Sequence, residues 1–342
     1  MSGAAVRHEI DVSGPYYEDL QVGQRFDGSP GMTLTEGAAA VHQAIVGDRL
    51  RLALDTHLSQ AVAGGQIAHP GLVCDVAIGQ STLATQRVIG NLFYRGLVFR
   101  RSPRIGDTLR TSTEVVALRD NAARSARQPT GLVVLRVRTV DQEFREVLDY
   151  HRCAMLPMRG EAARPGHADD LEAISAALDP AGLLACVEGF DLEAYRAALP
   201  GPQADGLEAG QRYVVETADT VSGATELVRL SLNVAGAHSD PDASGRGRRL
   251  VYGGHTIGVA CSQLTRALPD LVTIAGWRSC DHLAPVFEGD VLHSAVTVEA
   301  VGDLSAQGAR LVDLRVQTDA VRIDASGREP VLDWHLVGVM AA

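Results

Sequence analysis

A chain of 342 residues, 46% hydrophobic and 21% charged, is long enough for about two domains and too apolar to remain disordered. Its formal net charge of -11 excludes the broad basic face that nucleic acid or an anionic membrane requires, although local basic clusters can still hold an anion. No apolar stretch approaches the about 20 residues of a membrane span, and MSGAAVRHEIDVSG at the N-terminus resembles no export signal, so a cytoplasmic location is expected.

In chain order, LQVGQRF (Leu20 to Phe26) is a turn leading into a short strand, followed by a Thr-rich segment and a loop. GLVCDVAIGQSTLATQRVI, Gly71 to Ile89, has the length of a helix, with Leu72, Val76, Leu83 and Val88 among its apolar positions. RIGDTLRTSTEVVAL (104 to 118), TGLVVLRVRTV (130 to 140) and VLDYH (147 to 151) follow, and period-two alternation in these runs predicts strands with one buried face. From Pro157 to Gly206 the chain is rich in Ala, Asp and Glu with Pro and Gly breaks, which predicts a linker with one or two short surface helices. The same order then returns: LEAGQRY, the helical candidate Gly254 to Leu268, FEGDVLHSAVTVEAV, ARLVDLRVQTDAVRI (309 to 323) and VLDWH.

Leu20 answers to Leu207, Arg104 to Phe287 and Val147 to Val331, at offsets of 187, 183 and 184 residues. Near-equal offsets in the same order mean a duplicated unit. The expected organisation is a first unit at 1–158, a linker at 159–205 and a second unit at 206–342. Each unit is an α+β plan of one central helix wrapped by an antiparallel meander, and the two sheets can continue into one another, covering their edges. Cys74, Cys153, Cys186, Cys261 and Cys280 are widely spaced without a CxxC pair, so neither a disulfide framework nor a metal site is expected.

The halves differ most at LSLNVAGAHSDPDASGRGRRLVYGGHTIG, 230 to 258, where N-x4-H-x-D-P brings Asn233, His238 and Asp240 together ahead of Gly253-Gly254 and a helix. A histidine can move a proton to and from water. A neighbouring amide or carboxylate can hold that water or orient the imidazole. Amides at a glycine-led helix start can hold a developing oxyanion. Asp240 before a proline would also simply start a turn.

This stretch resembles the MaoC-like, R-specific enoyl-CoA hydratase family, with its GD-x-NP-x-H-x-DP signature ahead of an HG-led "hot dog" helix. The passages GDTLRTSTEVVALRDN, VVLRVRTVDQEFREVLDY and RRLVYGGHTIG are similar, more narrowly, to mesaconyl-CoA hydratase, also called β-methylmalyl-CoA dehydratase. The resemblance implies a tandem double hot dog. It places Asn233 at the family's catalytic Asp, His238 at the catalytic His, Asp240 in the x-DP element and Gly254 at the amide facing the thioester oxygen. Asn233 cannot accept a proton, which shifts proton transfer onto His238, with Asp240 as its expected partner.

The first half keeps Gly47-Asp48 but has Ala53 where a histidine is needed, His57 out of register and His69-Pro70 in place of His-Gly, so it reads as a decayed site that supports ligand binding. Asp75 in HPGLVCDVAIGQ resembles, one position out of register, the helical acid of β-hydroxyacyl carrier-protein dehydratases. Gly253, Tyr252, Tyr94, Arg249 and Arg101 are the expected substrate contacts, with Arg100, Arg104, Arg246 and Arg248 as further phosphate-binding candidates.

The implied activity is reversible addition of water to an α,β-unsaturated, branched or dicarboxylic acyl-CoA. Coenzyme A is part of the substrate, and no separate cofactor is expected because only water moves. Partners beyond the acyl-CoA are not expected, except that a homodimer is left open. A hot-dog thioesterase and a non-catalytic acyl-CoA binding protein are the alternatives.

Overall fold

The computed structural model describes residues 12–123, 128–199, 206–322 and 327–341. Eight long strands dominate: β1 Gly90–Phe99, β2 Thr108–Asp120, β3 Thr130–Val140 and β4 Glu146–Pro157 in the first half, and β5 Leu271–His282, β6 Val291–Leu304, β7 Ala309–Val321 and β8 Arg328–Ala341 in the second. They form one antiparallel sheet in the order β2-β3-β4-β1-β5-β8-β7-β6, extended at its ends by Arg25–Phe26 and Arg212–Val214. The halves meet where β1 pairs with β5, so each covers what would be the other's open edge.

The duplication shows in matching hydrogen bonds. Gln80 donates to the Leu109 carbonyl as Gln263 does to that of Leu292. The Thr111–Thr139 hydroxyl pair is repeated by Ser294–Thr318, each at 2.8 Å. VLDYH and VLDWH lie in β4 and β8, where Tyr150 and Trp334 are buried while Asp149 and Asp333 take forked hydrogen bonds from Arg136 and Arg315.

Four helices place the chemistry: α1 Glu36–Val46, α2 Pro70–Gln80, α3 Ala224–Leu230 and α4 Gly253–Ala267. The central helix α2 stops well before Ile89. The Ser81 and Thr82 hydroxyls bond back to the carbonyls of Ile78 and Gly79, and Ser81–Thr85 continues as a 3₁₀ turn. From Pro70 to Gln80 only Gly71 is not fully buried, in keeping with a central position between sheet and α4. Gly79 lets the backbone before Asn233 approach, since a Cβ there would lie 1.7 Å from the Ser231 carbonyl oxygen.

The segment after Pro157 is more than a surface linker. Its short helical turns bury Leu171, Leu183, Val187, Leu192 and Tyr195, and the Tyr195 hydroxyl donates to the Leu271 carbonyl. No helix of the described residues is long and apolar enough to cross a membrane.

Candidate active site

Between the halves lies a cavity of about 260 Å³ whose lining includes Asn233, His238, Tyr252 and Gly253 from the second half and Tyr94 and Arg152 from the first. Five of the residues expected from the sequence therefore meet at one place.

His238 ends a short 3₁₀ turn, Gly236–His238, and its Nδ1 lies 2.9 Å from the Leu250 carbonyl. A carbonyl can only accept, so Nδ1 carries the proton and Nε2 keeps its lone pair. Burial pushes the His238 pKa down to about 4, against the Leu250 hydrogen bond and assisted by the charge of Arg152. The ring is thus a neutral base at pH 7.

Asn233 follows Leu232, whose φ of 60° is a left-handed conformation rare for a leucine. Its Oδ1 accepts from the Ala235 amide at 2.9 Å, which assigns Nδ2 as the free end. That nitrogen is buried without a partner, so it is a donor waiting for an acceptor.

Helix α4 begins at Gly253 without a side-chain cap from Tyr252. The amides of Gly253 and Gly254 have no hydrogen-bond acceptor among the described residues, as first-turn amides lack one within the helix. Gly253 lines the main cavity, while Gly254 sits one step deeper, facing a small void shared with Asp75. A Cβ at Gly254 would fall 2.1 Å from Asp75 Oδ1 and 2.5 Å from the Tyr252 ring, so glycine is required there.

Three expected roles are corrected, those of Asp240, Arg101 and Arg249. Asp240 is exposed, lies outside the cavity lining and accepts from the Asp242 amide, because the turn at Pro241 carries it outward; the partner of His238 is the Leu250 carbonyl. Arg101 donates to Asp141 and does not line the cavity, since that buried carboxylate holds it. Arg249 pairs with Glu288 on the surface, also outside the lining, and Arg100 and Arg104 are engaged with Glu146 and the Ala63 carbonyl. Arg248 stacks on Phe287, leaving Arg246 as the arginine of that loop that reaches the cavity.

Tyr94 is buried, and its ring meets His282 and Trp277 edge to face. Asp75 lies 3.3 Å from His42 Nε2 and does not line the main cavity, which argues for a supporting place beside Tyr252. Burial, with Asp75 nearby, raises the Tyr252 pKa well above that of a free tyrosine, keeping its hydroxyl protonated.

His282 and Arg152 were not singled out from the sequence. His282 lines the cavity, its Nε2 is buried without a partner, and a Cβ on Gly253 would lie 2.6 Å from that nitrogen. Burial, and then the proximity of His238, lowers its pKa to about 4. Arg152 is 3% exposed, and its signal was available: it shares strand parity with buried Tyr150 and Ala154, a core position where a charge is out of place.

In the first half the corresponding place is filled. Asp48 Oδ1 lies 2.8 Å from His69 Nε2, and the carboxylate also accepts from the Leu50 amide and the Thr265 hydroxyl. Burial pushes Asp48 up, but His69, the Leu50 amide and Cys261 hold it below the usual carboxylate range. Asp48, His69 and Cys261 are close enough to share a cation. His69 Nδ1, however, accepts from the Gly71 amide at 3.0 Å, which puts the proton on Nε2 and turns that nitrogen into a donor to Asp48.

The arrangement has recognisable relatives. A solved double-hotdog conserved hypothetical protein from Mycobacterium tuberculosis is 51% identical, with a TM-score of 0.88 over 96% of this chain and 99% of that one. A solved putative MaoC domain dehydratase from Chloroflexus aurantiacus is 25% identical, with a TM-score of 0.80 over 96% and 97% of the two chains. Among curated proteins, the chain is 29% identical to the beta-methylmalyl-CoA dehydratase of Chloroflexus aurantiacus, over 82% of this chain and 81% of that protein. It is 26% identical to the mesaconyl-CoA hydratase of Cereibacter sphaeroides over 89% of each. With the mesaconyl-CoA hydratase profile matching residues 2–283, and with a duplicated hot dog whose halves enclose His238, this chain belongs to the mesaconyl-CoA hydratase family.

Proposed function

We propose that the protein is a hydro-lyase that adds water reversibly across the double bond of a short, branched or dicarboxylic α,β-unsaturated acyl-CoA. The observation that carries this reading is the convergence of three unfilled valences: the lone pair of His238 Nε2, the free Asn233 Nδ2 donor and the uncapped amides of α4. Asn233 Nδ2 donates to a water oxygen while His238 Nε2 accepts one of its protons. The water oxygen bonds to the β-carbon, and the electron pair of the double bond moves toward the thioester, whose oxygen becomes enolate-like. The Gly253 and Gly254 amides, backed by the dipole of a 15-residue helix, stabilise that oxygen. The His238 imidazolium then returns the proton to the α-carbon. Its low pKa makes it a ready donor in this step.

A cavity of about 260 Å³ suits the acyl group and leaves coenzyme A outside. A surface groove shares Ile89, Met155 and Arg246 with it and adds Arg87, a cation suited to phosphates. The test is incubation with mesaconyl-CoA and crotonyl-CoA, following loss of enoyl-thioester absorbance and the mass of the product, beside His238→Ala. Gain of one water, abolished in the variant, is expected. Release of free coenzyme A, or no reaction across a range of enoyl-CoA lengths, would overturn it.

A further inference from the structure

Among the described residues, the one cation buried inside the cavity has no place in the steps above. Arg152 reaches it from β4 of the first half. Its Nη2 donates to the Ser81 carbonyl at 3.2 Å and to Thr85 Oγ1 at 2.8 Å, both neutral. Nε is buried without an acceptor. Among the described residues no carboxylate pairs with Arg152, although more exposed arginines of the same sheet, Arg136 and Arg315, have Asp149 and Asp333. A buried guanidinium stays charged, and without a counter-ion its desolvation is uncompensated.

The fold does not require that cost. The repeat places Leu336 of VLDWHLV opposite Arg152 of VLDYHRC, and Leu336 is a buried apolar residue on the equivalent strand. The same framework thus closes around a leucine in one half and around a cation in the other. The cation lies on the cavity that holds the reactive histidine, near enough to depress its basicity.

We infer that Arg152 is the specificity-determining residue of the site, receiving the free carboxylate of a dicarboxylic acyl thioester. This rests on the hydratase reading for the position of the thioester and deepens it by naming the group that selects the substrate. A carboxylate at the far end of a short acyl chain supplies the missing charge, and the buried Nε–H, which has no acceptor in the protein, can donate to it. Ser81 and Thr85 set the plane of the fork from the turn that ends α2. A methyl group at the same place would leave the charge buried and unpaired, which is a strong ground for rejection.

Titration calorimetry with two unreactive saturated thioesters, methylsuccinyl-CoA and 2-methylbutyryl-CoA, separates recognition from turnover. They share one skeleton and differ in bearing carboxylate or methyl. Wild type should bind the first at least about 100-fold more tightly. Arg152→Leu, which copies the other half, should bind both alike without weakening for 2-methylbutyryl-CoA, and Arg152→Lys should fall between. Equal binding by wild type, or parallel loss of both ligands in variants with native circular dichroism, would overturn the assignment. The wild-type comparison decides even if Arg152→Leu does not fold. Hydration of mesaconyl-CoA and its methyl analogue tiglyl-CoA completes the test. Turnover of both with equal kcat/KM sinks the role of Arg152 and leaves the hydratase. No turnover with retained discrimination in binding sinks the hydratase and leaves Arg152 as the carboxylate anchor.

Discussion

Helices α2 and α4 are counterparts, yet their N-termini have opposite fates. At α2 the residue before the helix is His69, which accepts the Gly71 amide on Nδ1 and presents Nε2 to Asp48. At α4 the residue before the helix is Tyr252, which caps nothing, so the Gly253 amide stays open on the cavity with Asn233 and His238, and that of Gly254 lies one step deeper. The stretch between Asp48 and His69 folds into the helices Arg51–Leu54 and Thr56–Ala63, the second packed on Leu192–Ala197. The matching stretch between Asn233 and Tyr252 forms no α-helix and delivers His238 to a cavity at the end of a single 3₁₀ turn. One ancestral plan thus becomes a polar strut in which Asp48 and His69 face each other at 2.8 Å, and a site where Asn233 Nδ2 and His282 Nε2 have no partner. Unsatisfied buried groups cost stability, so a molecule retains them where they meet a ligand.

The sharpest way to break this comparison is to remove one histidine from each side. His238→Ala should lower kcat about 1,000-fold with little change in melting temperature, whereas His69→Ala should leave kcat per folded molecule intact and destabilise by about 3 kcal/mol, because Asp48 loses its partner. Steady-state kinetics beside urea unfolding reads both. A swap of these outcomes would mean that the first half holds the reactive site.

The helix starts give the next contrast. Gly254→Ala drives a Cβ into Asp75 and Tyr252 and should abolish hydration while costing about 2 kcal/mol. Gly71→Ala meets the His69 ring at 2.9 Å and His42 at 3.4 Å, and should cost about 1 kcal/mol with activity retained.

The pH dependence of stability sharpens the picture further. His238, His255 and His282 are each depressed by burial from 6.5 to about 4. Between those values the unfolded chain binds protons that the folded one refuses, so their contribution is fully present above pH 6.5 and is lost as pH falls toward 4. The expected slope is on the order of 1 kcal/mol per pH unit for each histidine. His282→Phe, which copies Phe99 of the first half, should make that slope shallower in urea melts, and an unchanged slope would mean that His282 is not buried and neutral.

The smallest effect is expected at Leu232, which holds a φ of 60° where its counterpart Gly47 holds 67°. Leu232→Gly relieves left-handed strain and loosens the unfolded chain by similar amounts, so stability should change by less than about 1 kcal/mol. A larger loss in thermal unfolding would show that the Leu232 side chain supports Asn233.

Much of this was legible beforehand. The expected strand at 130 to 140 coincides with β3, and the α4 boundaries lie within one residue of those expected, because alternation and a glycine-led helix start are local signals. Asn233, His238 and the glycine pair were legible because the halves disagree there while agreeing around it. Asp240 was misjudged, since nearness in sequence does not decide which side of a turn a carboxylate takes. The premature end of α2 was missed because the Ser81 and Thr82 hydroxyls take up helix carbonyls.

By itself, then, the sequence determined the duplication, the α+β plan and the stretch around Asn233 and His238 where the halves diverge, since periodicity and repeated motifs are written in the order of the chain. Which half's residues face which cavity was decided only by the tertiary structure. Pairing of β1 with β5 brings Tyr94 and Arg152 of one half to His238 and His282 of the other. Alternation says that Arg152 points to the same side as Tyr150, but only the closure of two sheets around two helices decides that what lies on that side is a cavity.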